Sequence, residues 1–335
     1  MVPEEAKKPE PGGETTYLEA IRQGLWEEME ADDAVFLIGE DIGVYGGAFK
    51  VTDGFLERFG ESRVIDTPIA EGAIVGSSVG AAMMGMRPVA EMQFIDFISC
   101  AFDQLTNVAA KNRYRWGVGL PIVVRGPAGG GVHGGPFHSQ QVETYFAHTA
   151  GLKVVCPATP YDAKGLIKSA IRDDDPVIFQ EHKYLYRRIK EELPAEEFTV
   201  PLGEARIHRE GSDLTILTWA AMVHVAAEAA ETLAEEGVEV EIVDLRTLVP
   251  LDEEAILRSV AKCGKAIVLH EAPRTVGFGA EVSATIAEKA FEYLEAPIVR
   301  VTAPDTPVPY SPPLEEEYLP GEDDLLEIAR RLVDY

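Results

Sequence analysis

Glu71 sits in "DTPIAEGAIVG" and His138 in "GPAGGGVHGGPFHSQ", each a polar residue set among apolar residues and glycines. A carboxyl at position 71 has few local partners, so burial would raise its pKa and let it bond a ring nitrogen, shifting that ring's tautomer. The same position equally suits a helix start, where a carboxylate meets the positive end of the helix dipole. His138 also divides two ways, into a neutral core imidazole or a proton-transfer group working near neutral pH. The loop around it is too rich in glycine for packing alone and has the composition of one shaped to admit a ligand. His133, inside that loop, is a weaker candidate of the same kind. Glu40 and Asp41 follow "AVFLIG", and "QFIDF" follows "RPVAEM". Phe94 and Phe97 within it are either core residues or a platform for a flat heterocycle.

Each of these residues lies just beyond a short apolar run, which places it past the carboxyl end of a strand, where open parallel sheets bind ligands. Strand runs such as "AVFLIG", "RPVAEMQF" and "LPIVVRGP" alternate with stretches of helical spacing such as "TYLEAIRQGLWEEMEAD". That alternation predicts an α/β fold with a parallel sheet covered on both faces. It runs over 16–190, pauses in a charged, proline-spaced linker at 191–210 that has room for one hairpin, and resumes over 211–335. Two doubly wound domains follow, a division that 335 residues favour. Residues 1–15 read as a disordered arm. In "EGAIVGSSVGAAMMG", Gly72, Gly76, Gly80 and Gly85 strip one helix face, which predicts close backbone approach, to the sheet or to a second subunit.

Bulk properties narrow the function classes. The formal net charge of −27 disfavours nucleic acid and anionic membranes and suits a basic protein partner. Three widely spaced cysteines form neither a disulfide framework nor a zinc set, so a reducing cytoplasm or organelle matrix fits best. The N-terminal residues lack the pattern of a signal or transit peptide, and no run is long and apolar enough for a bilayer. "GFGAEV" is only a fragment of a dinucleotide fingerprint. No P-loop, GxSxG or HExxH occurs, nor a "GDG" with a downstream Asn to hold a diphosphate through magnesium.

Read together, "FLIGEDIGVYGGAFKVT", "DTPIAEGAIVG", "EMQFIDFISCAFDQLTNVAAKNRYR", "RGPAGGGVHGGPFHSQ", "GLKVVCPATPYDAKGLIKSAIRDDDP", "EIVDLRTLVPLD" and "LHEAPRTVGFGAE" resemble the beta subunits of thiamine-dependent 2-oxo acid dehydrogenases. The resemblance covers the chain from Thr16 to Tyr335 and leans toward the branched-chain (2-oxoisovalerate) members. It implies a pyrimidine-binding domain followed by a transketolase C-terminal-like domain. It also implies an alpha subunit carrying magnesium and the diphosphate, in a heterotetramer of two alpha and two beta chains. Glu71 then bonds the pyrimidine ring, with Glu40, Ile69, Ala70, Gln93 and Phe97 lining the cofactor site. His138, with Phe94 and Phe97, faces the 2-oxo acid and supplies a proton when the acyl group passes to lipoamide. A potassium ion is implied at Ile122, Ala170, Asp173 and Asp175, where Asp175 replaces the family's usual Asn; a solvated acidic turn is the alternative. The acidic residues Glu315, Glu316, Glu317, Asp323 and Asp324 suit the basic peripheral subunit-binding domain of a lipoyl acyltransferase core. A subunit serving mainly as a docking module, and a pyruvate or acetoin enzyme, are the other readings.

Overall fold

Strand β1 (Gly13–Thr16) hands directly into helix α1 (Tyr17–Ala31) because Thr16 and Glu19 cap its start reciprocally. The Thr16 hydroxyl accepts the Glu19 N–H at 3.2 Å, and the Glu19 carboxylate accepts the Thr16 N–H at 3.2 Å. The computed structural model describes residues 8–10 and 12–335. Of the arm expected over 1–15, residues 1–7 and 11 lie outside the described residues. Its last part is no free arm: Gly13 to Thr16 pair antiparallel with Leu193 to Lys190. The hairpin allowed for in the linker is also absent, since that strand's partner lies far upstream in the chain.

Two compact units emerge, one from the chain up to Ala128 together with Tyr145–Leu202, the other from Gly129–Thr144 and Gly203–Tyr335. The first unit follows the alternation read from the sequence. After α1 come β2 (Val35–Gly39), α2 (Phe55–Phe59), β3 (Val64–Asp66), α3 (Glu71–Met83), β4 (Arg87–Glu91), α4 (Ala110–Trp116) and β5 (Val123–Ala128). Helix α5 (Glu143–Ala147), whose first two residues belong to the second unit, then β6 (Lys153–Val155), α6 (Pro160–Arg172), β7 (Val177–His182) and β8 (Lys190–Leu193) complete the order. The strands β6-β7-β5-β4-β2-β3 lie side by side and all run parallel. Every residue of β2, β5 and β7 is buried, as befits strands covered on both faces.

The glycine-rich helix differs in part from expectation. Gly85 lies past the end of α3 at φ +93, a conformation that favours glycine, so it ends the helix rather than baring a face. A side chain at Gly72 would meet the carbonyl of Cys100, and one at Gly76 the side chain of Gln104, so this face packs on the irregular helical stretches Ile95–Ala101 and Gln104–Ala109. Gly80, one turn further along, borders open space.

The second unit contains β9 (Arg206–Arg209), β10 (Leu214–Thr218), α7 (Met222–Glu235), β11 (Val240–Asp244), β12 (Thr247–Val249), α8 (Glu253–Cys263) and β13 (Ala266–Pro273). Helix α9 (Gly279–Lys289), β14 (Val299–Ala303), α10 (Pro312–Tyr318) and α11 (Glu322–Val333) follow. Its sheet runs β14-β13-β10-β11-β9, parallel except for β9. The second doubly wound α/β layer predicted from the sequence is therefore present, with β9 added antiparallel at its edge.

Candidate active site

In the first unit, three strand ends and one helix start bring the predicted residues together. Beyond β2, Glu40 is buried while the chain turns through Asp41 at φ +56. The Gly43 N–H donates to Asp66 Oδ1 at 2.6 Å, and the Thr67 N–H donates to the Gly39 carbonyl at 2.9 Å. These bonds tie the turn after β2 to the end of β3. Glu71 opens α3, and the Ala70 carbonyl receives the N–H groups of Ala73 and Ile74 at 2.8 and 2.9 Å. Ile69 is 81% exposed and Ala70 half-buried.

The burial expected of Glu71 falls instead on its neighbour. Glu71 is half-buried at the helix start, whereas Glu40 is 6% exposed and its Oε1 is buried without a hydrogen-bond partner. Burial pushes the Glu40 carboxyl up; the nearby Glu71 charge adds to the push, the Ala70 N–H opposes it and Asp41 adds further. The pair is thus a buried acid with raised proton affinity beside a more open one. Gln93, beyond β4, donates to Asp41 Oδ2 at 3.3 Å. Phe94 and Phe97 are half-buried and meet edge to face at 6.3 Å, and Phe49 packs on Phe94 at 5.6 Å.

Sequence reading missed the charged cluster nearby. Arg125 of β5 is buried and ion-paired with both Glu91 of β4 and Glu181 of β7. Its Nη2 donates to Glu181 Oε2 at 2.7 Å, and the Tyr186 hydroxyl donates to the same oxygen at 2.6 Å. Burial pushes the Glu91 carboxyl up, with Arg125 opposing and Glu181 adding to the shift. The signal was a charged residue near the carboxyl end of each of three apolar runs, "RPVAE", "PIVVR" and "VIFQE".

His138 belongs to the second unit, in the segment 129–144. It is half-buried, and its N–H donates to the Gly135 carbonyl at 3.3 Å. The loop has little freedom. Gly135 adopts φ +67, where a side chain would collide with the Tyr310 ring. The Gly130 N–H donates to Glu271 Oε1 at 2.6 Å, and Glu315 receives the N–H groups of Gly131 and His133 at 3.1 and 2.9 Å. His133 Nδ1 also lies 2.7 Å from Glu315 Oε2. Glu315 is thus buried and occupied, which removes it from the expected acidic docking face; Glu316, Glu317, Asp323 and Asp324 remain exposed.

Behind the loop, Glu143 is fully buried and neither carboxyl oxygen has a partner of good hydrogen-bond geometry. Burial pushes it up to about 7, with Glu271 adding to the shift and its own backbone and Trp219 opposing. His270 stacks on Trp219 at 5.3 Å and 14°, and burial pulls its imidazole down to about 4.

The potassium positions offer little free charge. Lys153 pairs with Asp173, Arg87 with Asp174 and Arg113 with Asp175. The Ile122 carbonyl already accepts the Val177 N–H at 2.9 Å, and Ala170 is buried within α6. Among the described residues, no group of three or more His, Cys, Asp or Glu side chains is placed to hold a metal ion, and no helix is long and apolar enough to cross a membrane.

Comparison with known proteins agrees with this architecture. Residues 14–188 match the family described as the transketolase pyrimidine binding domain, and 203–325 match the transketolase C-terminal domain. The 2-oxoisovalerate dehydrogenase subunit beta of Bacillus subtilis (strain 168) is 50% identical over 325 residues, covering 96% of this chain and 99% of the relative. The pyruvate dehydrogenase E1 component subunit beta of the same organism is 47% identical over 322 residues, with the same coverage. Among solved structures, a split gene transketolase described as an inactive beta4 tetramer gives a TM-score of 0.78 at 22% identity, covering 95% of this chain and 98% of that one, a likeness of fold.

Proposed function

This chain belongs to the beta subunits of the thiamine-dependent 2-oxo acid dehydrogenases, and on that premise we propose that it acts on a branched-chain 2-oxo acid together with an alpha subunit. The overall reaction is oxidative decarboxylation followed by acyl transfer to lipoamide. The observation that carries the reading is the carboxyl pair at the start of α3: Glu40 with a buried, unpartnered oxygen, beside the half-buried Glu71. Such a pair suits the polar edge of an aminopyrimidine, and the neighbouring Phe94 and Phe97 suit its flat face.

Thiamine diphosphate, when bound, supplies the acidic thiazolium carbon and the electron sink for decarboxylation. The contribution of this chain is proton placement and orientation. Glu71 shares a proton with the pyrimidine ring nitrogen and sets the ring's tautomer, while Glu40 lines the same edge. Phe97 packs on the pyrimidine, and Gln93, Ile69 and Ala70 line its site. His138 orients the substrate's oxygens and gives a proton as the acyl group leaves for lipoamide. The alpha chain holds the diphosphate and its magnesium in two-alpha, two-beta assemblies. Exposed Glu316, Glu317, Asp323 and Asp324 offer a face to the basic peripheral subunit-binding domain of the acyltransferase.

Co-expression with an alpha chain and a panel of 2-oxo acids tests the assignment. Turnover of 3-methyl-2-oxobutanoate is expected to exceed that of pyruvate, and a clear pyruvate preference overturns the branched-chain assignment. In the same assay Glu71→Ala is expected to lower kcat by roughly 10²-fold or more. Wild-type turnover in that variant removes Glu71 from the chemistry.

A further inference from the structure

A buried acid that the reaction does not consume stands under the glycine loop. Glu315 is 1% exposed, and among the described residues no lysine or arginine pairs with it. Its charge is met by the loop itself: the Gly131 N–H on Oε1, and the His133 N–H and imidazole on Oε2. Three donors on one carboxylate make the loop and the acid a single unit, because either left alone would bury unsatisfied polar groups. The backbone carries the mark of this restraint. His133, with a full side chain, is held at φ +59, a conformation that persists only where surrounding contacts impose it. From His133 the chain passes through Gly134 and Gly135, the latter pressed against Tyr310, and the Gly135 carbonyl then receives the His138 N–H. His138 thus follows, by five residues, a loop segment fixed by the Glu315 contacts.

We propose that Glu315 is a positioning residue, a buried anchor whose contacts with Gly131 and His133 set the loop so that His138 meets the substrate's oxygens. The proposal rests on the reading of His138 given above and adds the device that holds it. It also gives His133 a structural role, since its ring is part of the anchor and does not act on substrate.

The test uses the chain assembled with its alpha partner and compares Glu315→Gln, His138→Ala and the double variant. Glutamine keeps the length and volume of the side chain but replaces one acceptor oxygen with a donor amide, so either Gly131 or His133 loses its partner. Glu315→Gln is expected to lower kcat by about 10²-fold, as for a misplaced catalytic group, with saturation by thiamine diphosphate unchanged. The double variant should be no slower than His138→Ala alone, since both changes remove one function. Amide hydrogen exchange should quicken in 129–140 and nowhere else. Wild-type kcat in Glu315→Gln beside an inactive His138→Ala sinks the proposal alone, as does a double variant slower by the product of the two effects. Full activity in His138→Ala sinks the reading of His138 and this proposal with it. Should Glu315→Gln fail to fold, His133→Ala removes only the ring contact, from a side chain that is 52% exposed. Faster loop exchange with a reduced kcat then supports the anchor, and wild-type values of both overturn it.

Discussion

Two buried carboxyl clusters, one in each unit, are answered in opposite ways. In the first, Glu91 and Glu181 flank Arg125, and Tyr186 donates to one of them, so buried charge is answered by charge and by a directed hydrogen bond. In the second, Glu143 lies near Glu271 and forms no ion pair among the described residues, and burial answers by moving the proton equilibrium, up to about 7. A counter-charge opposes the rise that burial imposes on its acids, and its removal is costly. A displaced proton equilibrium makes the surroundings pH-sensitive and tolerates a neutral replacement.

Removing the cation breaks the contrast most severely. Arg125→Met leaves two buried acids without their partner and is expected to destabilise the first unit by about 3–5 kcal/mol, the usual cost of breaking a buried pair from one side. Urea unfolding at neutral pH measures it. A loss below about 1 kcal/mol would mean that the pair behaves like a surface salt bridge and that the contrast between the two clusters is false.

Glu143 gives the next largest effect, with a definite sign. Between its ordinary 4.5 and about 7 the folded state keeps a proton that the unfolded state releases, so stability falls as pH rises through that window. At about 1.4 kcal/mol per unit the fall amounts to about 3 kcal/mol. His270, pulled from 6.5 to about 4, acts in the opposite direction: unfolding takes up a proton there, so stability is lost as pH drops from 6.5 towards 4. In the native protein the two slopes oppose each other. Glu143→Gln removes the first and exposes the second, so its stability should climb with pH from about 4 to about 6.5 and exceed the native protein's above pH 7. Parallel pH profiles of the variant and the native protein would show that Glu143 does not titrate in this range.

The same contrast explains what could be read before any coordinates. Strand and helix order was legible because apolar period is a local property, and "AVFLIG" or "LPIVVRGP" states it within a few residues. Glu40, Glu71 and Gln93 were legible because each follows such a run, although the sequence could not say which acid would be buried; the turn after β2 decides that by seating Glu40 inward. The loop anchor was not legible. Glu315 lies 184 residues from Gly131 and stands in "PLEEEY" beside two other glutamates, so composition suggests a solvated acidic face. Only the start of α10 distinguishes it, turning Glu315 and Tyr318 inward and leaving Glu316 and Glu317 outside. Arg125 was hidden for a related reason: a single charge closing an apolar run is ordinary, and its meaning depends on which strands become neighbours.

Tyr186 provides the finest adjustment of the comparison. Its hydroxyl donates to Glu181 Oε2, the oxygen that also receives Arg125 Nη2, so the tyrosine shares the work of the cation. The ring packs independently against Phe49 at 5.3 Å and Tyr17 at 6.2 Å, contacts that phenylalanine can reproduce. Tyr186→Phe therefore removes one hydrogen bond to a charged acceptor and little else, an expected loss of about 1.5 kcal/mol by urea unfolding. If charge pairing dominates this cluster, combining Tyr186→Phe with Arg125→Met should cost more than the two separate losses added together, because each donor partly compensates for the other. A strictly additive double variant would show that the hydroxyl and the guanidinium act on Glu181 independently, and the first unit's cluster would then be two separate bonds to one acid.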